Sequence, residues 1–238
     1  MSVETRILEL IPKTDDYISG FADLRGLLHP KFSDYPSAVV IGKKLDDRII
    51  DDLNPNGPTP EYYSLYCQTN DLLDNLISRI SQTLNSLSIK NLPMVASGSR
   101  DAVYYLQDYP STLRMGFSHK MAATRAGLGW IGKTDLFISK VFGPRVRLAT
   151  VLVGQSLKTS LPPVEESSCG ECRACVNACP AKAANGKLWN IRTDRDEFYD
   201  VFKCRDKAQA LSQKNLNLDA RVCGICVSVC PAGKRTKA

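Results

Sequence analysis

Apolar positions first fall into register between Val3 and Leu28, where Ile7, Leu8, Leu10 and Ile11, then Leu24, Leu27 and Leu28, predict a helix or two. A short run rich in β-branched residues, Ala38-Val39-Val40-Ile41, follows Pro36 and reads as a buried strand. The stretch Asp51 to Pro60 holds three prolines, Gly57 and two asparagines, and is a loop. Beyond it Leu73, Leu76, Ile77, Ile80, Leu84 and Leu87 recur at intervals of three and four, the stripe of an amphipathic helix packed on a core. Leu92-Pro93-Met94-Val95 reads as a strand. Ser118 to Gly127 reads as a short helix closed by Gly127 and Gly129. Two apolar runs, Leu136-Phe137-Ile138 and Val146 to Val153, flank Gly143-Pro144 and are expected to pair antiparallel. Helices and strands mix without a regular βαβ rhythm, so the fold class is α+β. The loop around Pro162-Pro163 and Glu165-Glu166 ends this sheet domain, giving domains of 1–160 and 161–238.

With 238 residues, 43% of them hydrophobic, the chain can bury one sizeable core and carry a smaller module, which excludes a disordered protein. No apolar run reaches eighteen residues, and Met1 to Asp16 shows no signal-peptide pattern, so a soluble, cytoplasmic protein without a membrane partner is expected. Eight of the nine cysteines lie between Cys169 and Cys230 at metal-ligand spacings, which argues for a reducing compartment rather than a disulfide framework. The ninth, Cys67, is read as a small buried residue. The formal charge of +6 counts thiols as neutral. Each oxidised 4Fe-4S cluster with four thiolates carries about −2, so two of them bring the total to about +2 and weaken the case for a polyanionic partner.

Cys169-x2-Cys172-x2-Cys175-x3-Cys179-Pro180 is the run used by bacterial-type ferredoxins. Three thiolates at this spacing wrap one cubane, while the fourth, followed by proline, turns towards a neighbouring cluster. The second run is Cys223-x2-Cys226-x3-Cys230-Pro231, with Cys204 upstream as its missing member. Crossed ligation then gives Cys169, Cys172, Cys175 and Cys230 to one cluster and Cys204, Cys223, Cys226 and Cys179 to the other. Structural zinc is the competing reading, but zinc wants two separated pairs and does not explain two C-x3-C-P endings. Interleaved clusters lie close together and suit a wire, so substrate chemistry belongs elsewhere. The basic stretch Gly233 to Lys237 reads as a solvated tail.

The other informative passage runs from Ser118 to Lys133. Gly127, Gly129 and Gly132 around Trp130 let backbone approach a large flat ligand closely, although a packed helix-to-strand connection explains the same residues. It is no phosphate loop, since neither G-x-G-x-x-G nor G-x-x-x-x-G-K-[ST] is present. Ala126-Gly127-Leu128-Gly129-Trp130-Ile131-Gly132-Lys133, followed by the two cysteine runs with a lone cysteine between them, resembles epoxyqueuosine reductase. The resemblance extends over roughly residues 35 to 231 and reaches the reductive dehalogenases more distantly. It implies a nitroreductase-like α+β domain holding base-off cobalamin beside two 4Fe-4S clusters, with Lys133 touching the cobalamin and Gly127, Gly129, Trp130 and Gly132 near it. Where the family has an acidic proton donor, this chain has Leu113. The family's helical-repeat domain for tRNA is also missing after Cys230, so tRNA is not expected as a partner.

His119 is the candidate replacement for the missing acid, because an imidazolium donates a proton near neutral pH. Asp101, Tyr104 and Tyr105 are further candidates. The expected function is an iron–sulfur oxidoreductase passing electrons to a base-off cobalamin. It would act as a corrinoid-dependent reductase on a small molecule or reduce the corrinoid of a partner protein, with a ferredoxin or flavodoxin as electron donor. The alternatives are a ferredoxin-type electron carrier without corrinoid and, less favoured, an epoxyqueuosine reductase in tRNA modification; a flavin follows only from fold analogy.

Overall fold

The computed structural model describes residues 1–96 and 105–233. In chain order its elements are α1 (Val3–Leu10), β1 (Tyr17–Asp23), β2 (Ser37–Lys44), α2 (Asp47–Asp51), α3 (Pro60–Ser86), β3 (Asn91–Met94), α4 (Tyr109–Thr112) and α5 (His119–Arg125). There follow β4 (Gly129–Ile131), β5 (Phe137–Ser139), β6 (Val146–Val153), α6 (Ala174–Ala178), α7 (Val201–Leu216) and α8 (Ile225–Ser228). The chain forms two compact units, each drawn from three stretches: residues 1–44, 69–128 and 147–164 in the first, and 45–68, 129–146 and 165–238 in the second.

The first unit is built on a four-stranded sheet in the order β1-β2-β6-β3, with β1 antiparallel to β2 and β3 antiparallel to β6. Val39, Ile41, Ala149, Val151 and Val153 alternate onto one face, where they meet Leu73, Leu76, Ile77, Ile80 and Leu84 of α3 and Ile7 of α1. The helical stripe read from the sequence is thus the core of this unit, apart from Leu87, which lies past the helix end. Ser2 caps α1 by accepting the Thr5 N–H. The expectation of helix throughout 3–28 is corrected: only Val3–Leu10 is helical, and Tyr17–Asp23 is a strand. Seven register pairs with β2 satisfy its backbone, and this pairing overrides the helical spacing of the leucines that follow.

Helix α5 starts on Ser118, whose hydroxyl accepts the Met121 N–H, and ends in a left-handed Gly127 with φ of 74°. The Leu128 N–H bonds back to the Ala123 carbonyl and the Gly127 N–H to that of Thr124, so the helix ends in a Schellman motif. The expected pairing of 136–138 with 146–153 is also corrected. Phe137–Ser139 pairs with Gly129–Ile131 as a separate two-stranded sheet. The physical cause is the turn after β5: Ser139 and Gly143 exchange backbone hydrogen bonds of 2.8 and 3.0 Å, and Gly143 sits at φ 56°. The reversal there ends β5 before it can run alongside Val146–Val153.

In the second unit Leu45, Ile50, Leu53, Tyr62, Val222 and Val227 form a distinct core. Arg145, 1% exposed, donates to Asp47 at 3.0 Å, to Asp51 at 2.5 Å and to the Ser228 carbonyl at 3.4 Å, joining α2 to the end of α8. Among the described residues no helix is long and apolar enough to cross a membrane.

Candidate iron-sulfur site

All eight clustered cysteines lie in the second unit and none is in a disulfide. Cys169 and Cys172 precede α6, Cys175 lies within it, and Cys179 caps its C-terminus in an extended conformation. That extended residue, ahead of Pro180, sends the chain away from the first three thiols, as the sequence reading requires. Cys204 rides on α7. Cys223 and Cys226 bracket Gly224, whose φ of 84° starts α8. A Cβ at Gly224 would fall 2.5 Å from Leu53, so the bend that separates these two thiols from the core needs glycine.

Cys179, Cys204, Cys223 and Cys226 line one pocket of about 380 Å³, counting its open mouth, together with Thr134 and Tyr199. These are the four cysteines assigned to one cluster by crossed ligation. Cys230 lies near the thiols of the other set. Burial is the main reason its thiol is pushed up to about 11, and the thiols adding to the effect are those of Cys175, Cys169 and Cys172. Burial likewise raises Cys175, Cys204 and Cys226, and takes Cys223 to about 11. Buried thiols in this state are protonated, and only a strongly cationic centre turns them into thiolate ligands together. Among the described residues no three His, Cys, Asp or Glu side chains converge as the ligands of a single metal ion. A cubane, which holds its thiolates apart around a larger body, fits the pocket better than one zinc ion does.

The glycine turn forms a packed helix-to-strand connection that runs into a hairpin. Gly132 N–H bonds to the Leu136 carbonyl at 2.8 Å, closing the β4–β5 hairpin with Lys133 and Thr134 at its tip. Lys133, 4% exposed, donates from Nζ to the carbonyls of Gly170 at 2.7 Å and Cys172 at 3.0 Å. Trp130 donates from Nε1 to the sulfur of Cys169 at 3.4 Å. A Cβ at Gly129 would collide with the Ile138 carbonyl, and one at Gly132 would come within 3.0 Å of the Ile138 side chain. In the first unit, a Cβ at Gly127 would lie 2.6 Å from Leu161 and from the Pro162 carbonyl. Each glycine is therefore accounted for by the chain packing on itself.

His119 belongs to the first unit. Its Nδ1 lies 2.9 Å from Thr150 Oγ1 and its Nε2 3.0 Å from the Val95 carbonyl, and its ring packs edge-on against Phe117. Burial, aided by Arg147, lowers its pKa to about 4, so the ring is neutral at pH 7 with both nitrogens engaged. A proton-donating imidazolium is not what this environment favours. Leu113 closes α4 in a left-handed conformation with φ of 50°, and Tyr105 stacks edge-on against Tyr109. Asp101 and Tyr104 fall outside the described residues, as does the tail beyond Gly233. The sequence reading missed Thr134 and Tyr199, which line the pocket beside the thiols of Cys175 and Cys204. Nothing in their spacing marks them; only the fold brings them to sulfur.

The cysteine unit is a candidate two-cluster iron–sulfur domain, and the chain's other unit is built on an α+β sheet. Residues 168–233 match the family described as a 4Fe-4S double cluster binding domain. Over part of its length the chain is similar to curated epoxyqueuosine reductases. It is 35% identical over 117 residues to the one from Atelocyanobacterium thalassa (isolate ALOHA), covering 49% of this chain and 37% of that protein. It is 29% identical over 135 residues to the one from Synechocystis sp., covering 56% and 43%. The chain thus spans about two fifths of the curated relatives it matches. A solved epoxyqueuosine reductase shares the fold with a TM-score of 0.64 at 16% identity, over 98% of this chain and 66% of that one. A reductive dehalogenase structure, described as suggesting a mechanism for B12-dependent dehalogenation, does so with a TM-score of 0.64 at 15% identity, over 92% and 30%.

Proposed function

We propose that this chain is a reductase in which Cys169, Cys172, Cys175 and Cys230 hold one 4Fe-4S cluster and Cys204, Cys223, Cys226 and Cys179 hold the other, with a corrinoid as electron acceptor. The observation that carries the cluster assignment is the pocket ringed by all four cysteines of the second set. Bound cubanes supply one-electron transfer at potentials set by burial and by hydrogen bonds to sulfur. The chain's own part is to hold the thiols on and beside α6, α7 and α8, to shield all but Cys172 partly from water, and to direct donors at them.

The corrinoid rests on the relatives, one of which is tied to B12-dependent dehalogenation. Lys133 and the three glycines do not fit as its cradle, since each is occupied by the chain's own atoms. We therefore derive no step through the corrinoid, and His119 is not proposed as its proton donor. A structure of a related reductase contains an epoxyqueuosine-modified tRNA stem loop, but tRNA is not part of this proposal, because Leu113 stands where the resemblance calls for an acid. The packing of the glycine turn favours a second reading, an electron-transfer protein without corrinoid.

The test is anaerobic purification, iron and sulfide analysis, addition of hydroxocobalamin, and spectroscopy of the fraction that retains it. About eight irons per chain are expected. A retained cob(II)alamin signal lacking nitrogen hyperfine splitting supports the corrinoid reductase. Intact clusters without retained cobalamin leave the electron carrier, and zinc in place of iron removes both.

A further inference from the structure

Four donors that the cluster assignment does not use converge on the cysteine runs. The indole N–H of Trp130 points at Cys169 sulfur at 3.4 Å. The Thr134 hydroxyl lies beside the Cys175 thiol, and Thr134 is itself 5% exposed. The buried Lys133 ammonium clamps the carbonyls of Gly170 and Cys172, on either side of Glu171. All three come from one hairpin, and all three act on the first cysteine run. On the second set, the half-buried Tyr199 lines the same pocket as Cys204 and its hydroxyl lies beside that thiol.

We propose that the β4–β5 hairpin is the positioning and tuning shell of the first cluster: Lys133 fixes the ligand loop, Trp130 hydrogen-bonds one ligand sulfur, and Thr134 sets a hydroxyl beside a second. This rests on the cluster reading above and deepens it. An N–H or O–H donor bonds more strongly to sulfur as negative charge on the cluster grows, so it stabilises the reduced state and raises the reduction potential. Each electron taken up adds one negative charge to cluster and thiolates. The donors offset that charge without moving a proton. The glycines of the turn acquire a concrete purpose here. Gly129 lets the strand carrying Trp130 lie against the Ile138 carbonyl, and Gly132 admits the Ile138 side chain beneath the tip. A turn that resembles a ligand cradle in sequence thus works as a clamp on the cysteine loop.

The experiment uses the full chain as purified with its clusters. Iron is counted first, and each cluster's midpoint is then read by redox titration with electron paramagnetic resonance for wild type, Trp130→Phe, Thr134→Val and Tyr199→Phe. Trp130→Phe and Thr134→Val are expected to shift the same cluster to a more negative potential, changing its one-electron equilibrium several-fold, where tenfold is about 59 mV. The other cluster stays unmoved. Tyr199→Phe should shift that other cluster instead. Lys133→Met should keep both midpoints measurable but release iron from the first cluster several-fold faster to a chelator. Unchanged midpoints in Trp130→Phe and Thr134→Val, with about eight irons present, would overturn the proposal. So would equal shifts of both clusters. If Trp130→Phe loses iron outright, Thr134→Val, a near-isosteric change, decides alone. Wild-type protein lacking iron sinks the cluster reading and this inference together, and shows it before any titration.

Discussion

Cys226 and His119 show how burial sets a side chain's chemistry. Burial raises the Cys226 thiol strongly, with Cys223 and Cys204 adding to it, so this sulfur ionises only against bound iron. Cys226→Ser should therefore drop iron from about eight to about four atoms per chain while leaving the other cluster's signal, by metal analysis and electron paramagnetic resonance. His119 has a native pKa of about 4 against an ordinary 6.5. The unfolded chain binds the extra proton in that window, so stability is full above pH 6.5 and falls as pH drops through it towards 4. Between pH 7 and pH 5 wild type should lose about 1–2 kcal/mol to this one group, less whatever water screens. His119→Gln should flatten that part of the urea-midpoint profile. An unchanged slope would show that the Thr150 and Val95 contacts accept the charged ring.

At the scale of elements, the joint between α2 and α8 depends on Arg145. Its guanidinium is buried, whereas its partners Asp47 and Asp51 are 34% and 55% exposed in their side chains. Arg145→Met leaves those carboxylates solvated, so the cost is the lost charge-assisted bonds, about 2–3 kcal/mol, below the figure for a fully buried pair. Since α8 carries Cys226, the same variant should shed iron to a chelator faster than wild type. The hairpin offers a sharper test: Gly129→Ala drives a methyl into the Ile138 carbonyl and should cost about 2–4 kcal/mol, read as a fall in thermal midpoint. These elements also show what the sequence makes legible. The α3 stripe is a local pattern, with apolar positions repeating within a few residues, and it reads correctly; the cysteine runs are equally local and fall within the matched 4Fe-4S double cluster binding domain. Strand β1 is not legible in this way, because what makes Tyr17–Asp23 extended is β2, some twenty residues on. The partner of β5 is missed for the same kind of reason, since Gly143 bends the chain out of the pairing that the apolar runs suggest. Trp130 and Lys133 are visible as a motif, but their bonds to Cys169, Gly170 and Cys172 span almost forty residues of chain.

For the whole molecule, the composition of the second unit matters more than any single boundary. A cut at residue 160 would separate the cysteine runs from Leu45, Ile50, Leu53 and Tyr62, which share a core with Val222 and Val227, and from Arg145 and the hairpin. A fragment of residues 161–238 should therefore bind iron poorly on reconstitution, well below about eight atoms per chain, and lack a cooperative unfolding transition. The full-length chain should show both. The hairpin that grips the cysteine loop has a consequence in time as well as in space. Trp130, Lys133 and Thr134 leave the ribosome before Cys169 does, so the clamp is made first and its cargo second. The order of synthesis thus makes the hairpin residues available before the thiols they contact.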